Sequence, residues 1–460
     1  MPSGQVSFTT RNPATCESTL ESSRLAAHCG KSAVSRNPTG HQLAALWRDS
    51  AKQLTERYHL VTSPVSIRYR RDHKVIFVLT AQGNSPPSPA HTTGKRDRPT
   101  SFLIVLPGPR RMSDRHFRGL HQHKDGEKFV SQTRIVDVVN FMPERVVRNS
   151  ELPGEGGDLG DHAFFAGVHE RRFAWPDYTS ARLGAKALEK LLERNGVPAA
   201  DVDLIICASQ LNDAFSPGVG TAIQYAVGAT KAAVLQVDNG CCSWISSINT
   251  ARAFIDSGQY RTVAVVTVTN FVSRLEEFQK APESRVLGDG ASATLVTAGD
   301  EPTILSIHEQ AFGENWGALK VEPDTVEGME IPYWSAYSGA LTVKFDQSML
   351  ARLYTVTMEQ LPQAVDIALE KAGVENKDVA FLITHQPNEK YVAEWRKRCG
   401  FDDSRAHDTL ATYGNMFQGT LPVTFADALD KKMISPGDLI AFATFSHGGE
   451  LVGSMVWRWN

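Results

Sequence analysis

Along residues 131–460, apolar positions follow two alternating periods. The stretch QTRIVDVVNFMPERVV, from Gln132 on, reads as a strand that ends in a turn at Pro143. Residues 179–195 (TSARLGAKALEKLLERN) carry apolar side chains at helical spacing, and Gly196 is a stop signal. DVDLIICAS (201–209) is a short continuous apolar run, the pattern of a strand buried on both faces. AAVLQV (232–237) predicts another strand, 242–257 a helix, and TVAVVTVT (262–269) a third strand. Alternating β and α elements of this kind predict a layered, parallel or mixed sheet.

The second half repeats the first. ALEKLLERNGVPAADVDLIICASQ ends at 210 and AVDIALEKAGVENKDVAFLITHQP at 387, each a helix, a Gly-Val stop, an acidic turn and a buried strand. SGQYRTVAVVTVT (257–269) is answered by SPGDLIAFATFS (435–446). Two matched pairs in the same order predict an internal duplication, with halves at 131–300 and 301–460.

Residues 1–130 lack this grammar. They are rich in Ser, Thr, Pro, Arg and His. Their apolar runs at 75–80 and 102–106 suit strands without evident partners, and 82–101 is linker-like. A poorly structured extension, or a start assigned too far upstream, is the expectation; a basic nucleic-acid arm is the weaker alternative.

Charge sharpens that division. The chain of 460 residues has net charge −3, but residues 1–130 hold 20 Lys+Arg against 9 Asp+Glu, and the remainder 28 against 42. With 42% hydrophobic and 22% charged residues the composition is that of a globular protein, not a collagen, rod or wholly disordered chain. No apolar run of membrane length and no secretory leader pattern is present, so a cytoplasmic protein without membrane or nucleic-acid partners is expected. Six cysteines without a C-x-x-C pair predict neither a disulfide framework nor a metal site.

Three positions could carry chemistry. In VDNGCCSWISSINTARAFIDSG (237–258) a strand runs through Asn239-Gly240 into a helix, which puts Cys241 and Cys242 at a helix N-terminus. Unpaired N–H groups and the helix dipole there favour a thiolate nucleophile. His385, in FLITHQPN, directly follows a buried strand, at the end where open α/β sheets place their sites. Asn415 lies in ATYGNMFQGTLP, a turn-rich segment. Taken singly, each has an ordinary reading: core thiol, structural histidine, turn residue.

Together, DNGCCSW, HQPN followed by Lys390, YGNMFQGTLP, GDGA (288–291) and the closing SHGGELVGSMVWRW resemble the β-ketoacyl-acyl-carrier-protein synthase III family. The similarity runs from near Gln132 to the C-terminus. It implies an α/β thiolase fold of two βαβαβαββ halves in five layers, as a homodimer. It implies a Cys242-His385-Asn415 triad, an oxyanion hole from the backbone N–H groups of Cys242 and Gly448, and Phe215 reaching the partner subunit's acyl tunnel. It implies no tightly bound cofactor and no metal, the substrates being phosphopantetheine-linked acyl groups on acyl-carrier protein or coenzyme A.

The expected reaction is acylation of Cys242, then decarboxylative Claisen condensation with a malonyl-type thioester. The alternatives are acyl transfer to an alcohol or amine, and a silent partner subunit. The triad chemistry fits: thiolate both attacks and leaves well, and neutral His and Asn N–H groups suit a developing enolate. GDGA lacks the context of a phosphate loop and reads as a turn supporting the nucleophile's helix. His447 reads as a loop residue, with a role near the oxyanion hole as the sharper alternative.

The sequence also departs from the family. Asp161 and Phe165 stand where an adenine-clamping Trp and Arg are expected, which favours a carrier-protein-bound acyl chain. Lys390 replaces an Arg but still attracts a phosphopantetheine phosphate. The segment 312–345 is lengthened and aromatic, so Trp316, Tyr333, Trp334 and Tyr337 are candidates to line an altered acyl pocket. Trp244 replaces a Gly and is expected to crowd the site. These departures favour a specialised-metabolism member.

Overall fold

The computed structural model describes 66–69, 75–81, 100–106, 133–153, 167–323, 340–346 and 349–460. The chain divides into two compact units, with the boundary after Glu127. In the first, the apolar runs are strands that partner each other. β1 (Ser66–Tyr69), β2 (Val75–Ala81) and β3 (Thr100–Leu106) form an antiparallel sheet in that order. The rest of 1–130 lies outside the described residues, and with it the expectation of a poorly structured extension.

In the second unit β4 (Thr133–Phe141) starts a five-stranded sheet, and β5 (Val146–Arg148) and β6 (Glu170–Arg172) form a short hairpin. The expected helix is α1 (Ser180–Asn195). Thr179 caps it by accepting the Arg182 N–H, and Gly196 ends it in the left-handed conformation at φ 63°. β7 (Leu204–Ser209), α2 (Gly220–Val227), β8 (Ala233–Gln236), α3 (Ser243–Asp256), β9 (Thr262–Thr269) and β10 (Gly290–Ala298) follow. The sheet order is β4-β10-β9-β7-β8, parallel between β7, β8 and β9 and antiparallel around β10.

The second half repeats the plan with β11 (Ile304–Ala311), the hairpin β12 (Leu319–Pro323) and β13 (Leu341–Phe345), α4 (Leu350–Ala372), β14 (Phe381–Thr384), α5 (Glu389–Arg398), α6 (Leu410–Tyr413), α7 (Thr420–Asp430), β15 (Leu439–Ser446) and β16 (Leu451–Arg458). Its sheet order is β11-β16-β15-β14. Where the first sheet has β8 as its fifth strand, the second has a single parallel bridge, Leu382–Ala406.

Strand alternation assigns the layers. Ile135, Leu204, Ile206, Val263 and Val265 face Trp244, Ile245, Ile248 and Ile255 of α3, while Ile205, Ala264, Val266 and Val268 face Leu183, Leu188 and Leu191 of α1. In the second sheet Ile383, Ile440, Phe442, Met455 and Trp457 face inward onto Leu421 and Phe425 of α7, and Leu382, Ala441 and Ala443 face Leu361, Val365 and Trp395 of α4 and α5. The result is helix, sheet, central helix pair, sheet, helix: the five layers of a thiolase fold. Each fully buried Leu, Ile or Phe contributes about 1.5–3 kcal/mol, so the central pair α3–α7 is held where both sheets bury it.

That pair positions the site. α3 begins directly behind the Cys241-Cys242 turn, and α7 follows directly on the Asn415 loop. Among the described residues no helix is long and apolar enough to cross a membrane, and the four described cysteines, Cys207, Cys241, Cys242 and Cys399, are free thiols.

Candidate active site

A 3-10 turn, Gly240–Cys242, leads into α3, so Cys242 stands at a helix N-terminus as its position in the sequence predicts. The turn exists because Gly240 adopts φ +52° and lies against the chain end of β15. A Cβ at Gly240 would collide with Ser446 Oγ and His447 Cε1. Ser446 Oγ donates to Asn239 O at 3.0 Å, and the Thr444 hydroxyl donates to Cys241 O at 3.3 Å. Asn239 in turn donates through Nδ2 to Ser246 Oγ at 2.9 Å, and Ser246 bonds to Glu309.

The thiolate expectation needs correcting. Burial pushes the Cys242 thiol well above its ordinary value, and Cys241, Glu309 and Glu450 push it further. A hydrogen bond with the Thr444 side chain opposes this and is outweighed. Cys241 is likewise raised by burial to about 12. The helix N-terminus is present, but desolvation, Cys241 and two carboxylates keep Cys242 a thiol.

His385 follows β14, and its backbone N–H donates to Ala443 O of β15 at 2.8 Å. The ring is buried edge-on to Phe445, with centroids 5.5 Å apart. Its Nδ1 is buried without a hydrogen-bond partner among the described residues. Burial lowers its pKa to about 3, with His447 contributing, so the ring is neutral. The neighbours in HQPN have structural work: Gln386 bonds to Thr424 and to the Thr409 N–H, and Asn388 caps α5. An uncommitted nitrogen in a buried ring is a feature that invites a ligand.

Asn415 is held by its backbone, donating to Val286 O at 2.6 Å and accepting from Gly288 N–H at 3.1 Å. Its Oδ1 accepts from Phe417 N–H at 2.8 Å and Thr420 Oγ1 at 3.4 Å. The amide oxygen is thereby committed, which turns the NH₂ end away as a donor. GDGA therefore supports the asparagine loop rather than the nucleophile's helix. Gly288 passes so close that a Cβ there would collide with Tyr413 O. Asp289 accepts the N–H groups of Ala174, Phe271, Val272 and Ser273.

β15 is the common neighbour of the cysteine turn and His385. It carries Ala443 bonded to His385, Thr444 bonded to the cysteine turn, and at its end the Ser446-His447-Gly448-Gly449-Glu450 loop. Both expected oxyanion donors are engaged within the protein: Cys242 N–H donates to Asn239 O at 3.1 Å, and Gly448 N–H to Glu450 Oε2 at 2.9 Å. Gly448 has to be glycine for a packing reason, since a Cβ would meet Ala318 Cβ at 2.5 Å.

Other expected site residues lie elsewhere. Trp244 does not crowd the site; it is fully buried in the core, edge-on to Phe442 at 5.2 Å, with its indole N–H on Thr294 Oγ1 at 3.0 Å. Its size suits the space between the sheets. Trp316 is 74% exposed and borders a cleft of about 390 Å³ with Lys320, Glu322, Lys344 and Asp346, apart from the triad residues. Lys390 is exposed at the start of α5, and Phe215 is 86% exposed. Asp161, Phe165, Tyr333, Trp334 and Tyr337 lie outside the described residues. Sequence reasoning missed Glu309, Ser246, Asn239 and Thr444. Only Glu450 left a signal, an acidic residue in the closing glycine loop.

Two family models match the chain: 3-oxoacyl-[acyl-carrier-protein] synthase III over residues 235–313, and the C-terminal part of the same family over 369–459. The chain is 28% identical over 334 residues to the β-ketoacyl-[acyl-carrier-protein] synthase III of Clostridium acetobutylicum, covering 72% of this chain and 100% of the relative. It is 28% identical over 333 residues to that of Roseobacter denitrificans, covering 71% and 98%. Among solved structures it is similar to the Thermus thermophilus β-ketoacyl-[acyl-carrier-protein] synthase III, with TM-score 0.63, 24% identity, and 71% and 99% of the two chains covered. It is also similar to the priming β-ketosynthase of the R1128 polyketide biosynthetic pathway, with TM-score 0.62, 22% identity, and 73% and 98% covered.

Proposed function

Because the chain belongs to the 3-oxoacyl-[acyl-carrier-protein] synthase III family of the thiolase superfamily, we propose that it condenses an acyl group held on Cys242 with a malonyl-type thioester. Cys242 attacks the carbonyl of a phosphopantetheine-linked acyl thioester, the pantetheine thiol leaves, and an acyl-cysteine remains. The malonyl-type thioester then loses carbon dioxide. Its enolate carbon attacks the acyl carbonyl, and the Cys242 sulfur leaves.

The observation that carries this reading is the uncommitted ring nitrogen of buried His385 together with the free amide end of Asn415. A ring held neutral donates to the enolate oxygen without a full charge that would trap the substrate carboxylate. The donors for the acyl oxyanion are the Cys242 and Gly448 N–H groups, once Asn239 O and Glu450 release them. Removing one such donor costs about 2.7–4 kcal/mol of barrier.

Lys390, exposed at the start of α5, suits the phosphate of a phosphopantetheine arm. We infer acyl-carrier protein or acyl-coenzyme A as the donor, no tightly bound cofactor, a cytoplasmic setting and a homodimer joined beside Phe215 and the edge strand β8. Lys390 and the lengthened 312–345 segment favour a specialised acyl substrate.

Intact-protein mass spectrometry after exposure to a panel of acyl thioesters tests the first step. One acyl mass should add to the protein and none to Cys242→Ala. Carbon dioxide released from labelled malonyl thioester by the acylated protein supports condensation; acyl transfer to an alcohol or amine without release overturns it.

A further inference from the structure

The closing loop holds a second histidine that the triad does not use. His447 Nδ1 lies 2.8 Å from Glu450 Oε1 and 3.1 Å from Ser446 Oγ. Ser446 already donates its proton to Asn239 O, and a carboxylate can only accept, so Nδ1 carries the hydrogen and the lone pair is on Nε2. Nε2 makes no hydrogen bond among the described residues. The second carboxylate oxygen of Glu450 is fixed by the Gly448 N–H at 2.9 Å. An imidazole oriented through Nδ1 by a clamped carboxylate, with its Nε2 lone pair uncommitted, is the arrangement of a general base.

The ring sits against the nucleophile's turn. It occupies the space over Gly240, where a Cβ would collide with His447 Cε1 and lie 2.7 Å from Nδ1. The backbone of His447 takes φ +34°, an uncommon conformation for a side chain other than glycine. The loop thus keeps a strained histidine at a position where glycine would be relaxed. Glu450 is among the influences that raise the Cys242 thiol, and His447 among those that lower His385.

Acylation needs such a group. The resting Cys242 is a thiol, and His385, lowered to about 3, is a poor proton acceptor. The Glu450 carboxyl stays below its ordinary value despite burial, because the hydrogen bond and charge of His447 outweigh the desolvation. An ionised carboxylate behind the imidazole stabilises the imidazolium that forms.

We propose that His447, oriented by Glu450, takes the Cys242 thiol proton as the acyl group arrives and returns it to the departing pantetheine thiolate. The Cys242 S–C bond forms, the thioester C–S bond breaks, and the proton passes from Cys242 sulfur through His447 Nε2 to the leaving sulfur, with nothing else consumed. The inference rests on the proposed acyl-cysteine at Cys242. The titratable groups around His447 and the cysteine turn are Glu450 on its own loop, His385 after β14, and Cys241, Cys242 and Asp238, with Glu309 acting on Cys242.

The test is single-turnover acylation by the hexanoyl thioester of N-acetylcysteamine, followed by mass spectrometry across pH 5–9. His447→Gly fits the local backbone and opens space for free imidazole. It should slow acylation by about 10²–10⁴-fold and regain rate on adding imidazole. Glu450→Gln should slow acylation less. A His447→Gly variant that acylates at the unmodified rate, or is slow and not restored by imidazole, overturns the inference and leaves the acyl-cysteine reading intact. No adduct on the unmodified protein, or an adduct that survives Cys242→Ala, removes that reading and the inference with it.

Discussion

Asn249 of α3 donates through Nδ2 to Glu309 Oε2 of β11 at 2.9 Å, a bond between the two duplicated halves. The other carboxylate oxygen accepts from Ser246, which accepts from Asn239, the residue before the cysteine turn. One carboxylate in the second half therefore braces the cysteine turn of the first. Glu309→Ala leaves the Asn249 and Ser246 donors unsatisfied and should cost about 1–3 kcal/mol. Urea unfolding at constant m-value would read this as a lower midpoint, with Glu309→Gln recovering part of the loss.

The raised Cys242 thiol has a direct readout. Because its folded pKa lies well above the ordinary thiol value, iodoacetamide should alkylate Cys242 slowly at pH 7, and the rate should still be climbing at pH 9. In Glu309→Gln one raising charge is gone, so the profile should move to lower pH. A plateau already reached at pH 7 in the unmodified protein would contradict the assigned protonation state.

Gly240→Ala should separate folding from chemistry. The added methyl meets Ser446 Oγ and His447, and φ +52° costs a non-glycine residue about 1–3 kcal/mol. Acyl-enzyme formation should fall steeply, while far-UV circular dichroism stays that of the unmodified protein and the thermal midpoint drops. Wild-type acylation in this variant would show that the turn tolerates displacement.

Burial of His385 makes stability depend on pH. Its folded pKa of about 3 lies below the ordinary 6.5, so between those values the unfolded chain binds a proton that the folded chain refuses. Stability should fall as pH decreases through that window, by up to about 1.4 kcal/mol per pH unit for one group. His385→Gln removes this contribution, and its stability relative to the unmodified protein should rise as pH falls from 6.5 to 4. A constant difference across that range would mean that the ring is not buried as described.

The proposed homodimer has its own check. Phe215→Asp adds a charge to a highly exposed aromatic position near the edge strand β8. Light scattering after size exclusion should give twice the chain mass for the unmodified protein and a shift toward the single chain for the variant. A protein that runs as a single chain before any substitution ends the dimer proposal.

Several elements were legible along the chain because local rules fix them. Thr179 and Gly196 bracket α1 as a cap and a stop, and 262–269 is β9 with the boundaries its apolar run predicts. The repeat of helix, glycine and buried strand forecast the two stacked halves. Five strands were expected in each half; the first half has them, and in the second the fifth is only the Leu382–Ala406 bridge.

The sequence by itself determined the order of elements and the presence of a cysteine at a helix start, a histidine after a buried strand and an asparagine in a turn, because short-range sterics and hydrophobic period set those. Only the tertiary structure decided what surrounds them. It put Trp244 in the core, turned GDGA toward the asparagine loop, set Glu309 and Glu450 beside the thiol, and backed His447 with a carboxylate. The physical reason is that desolvation and charge act through space. Glu309 and Glu450 are remote from Cys242 along the chain yet add to burial in raising its thiol, and nothing in the local pattern encodes that.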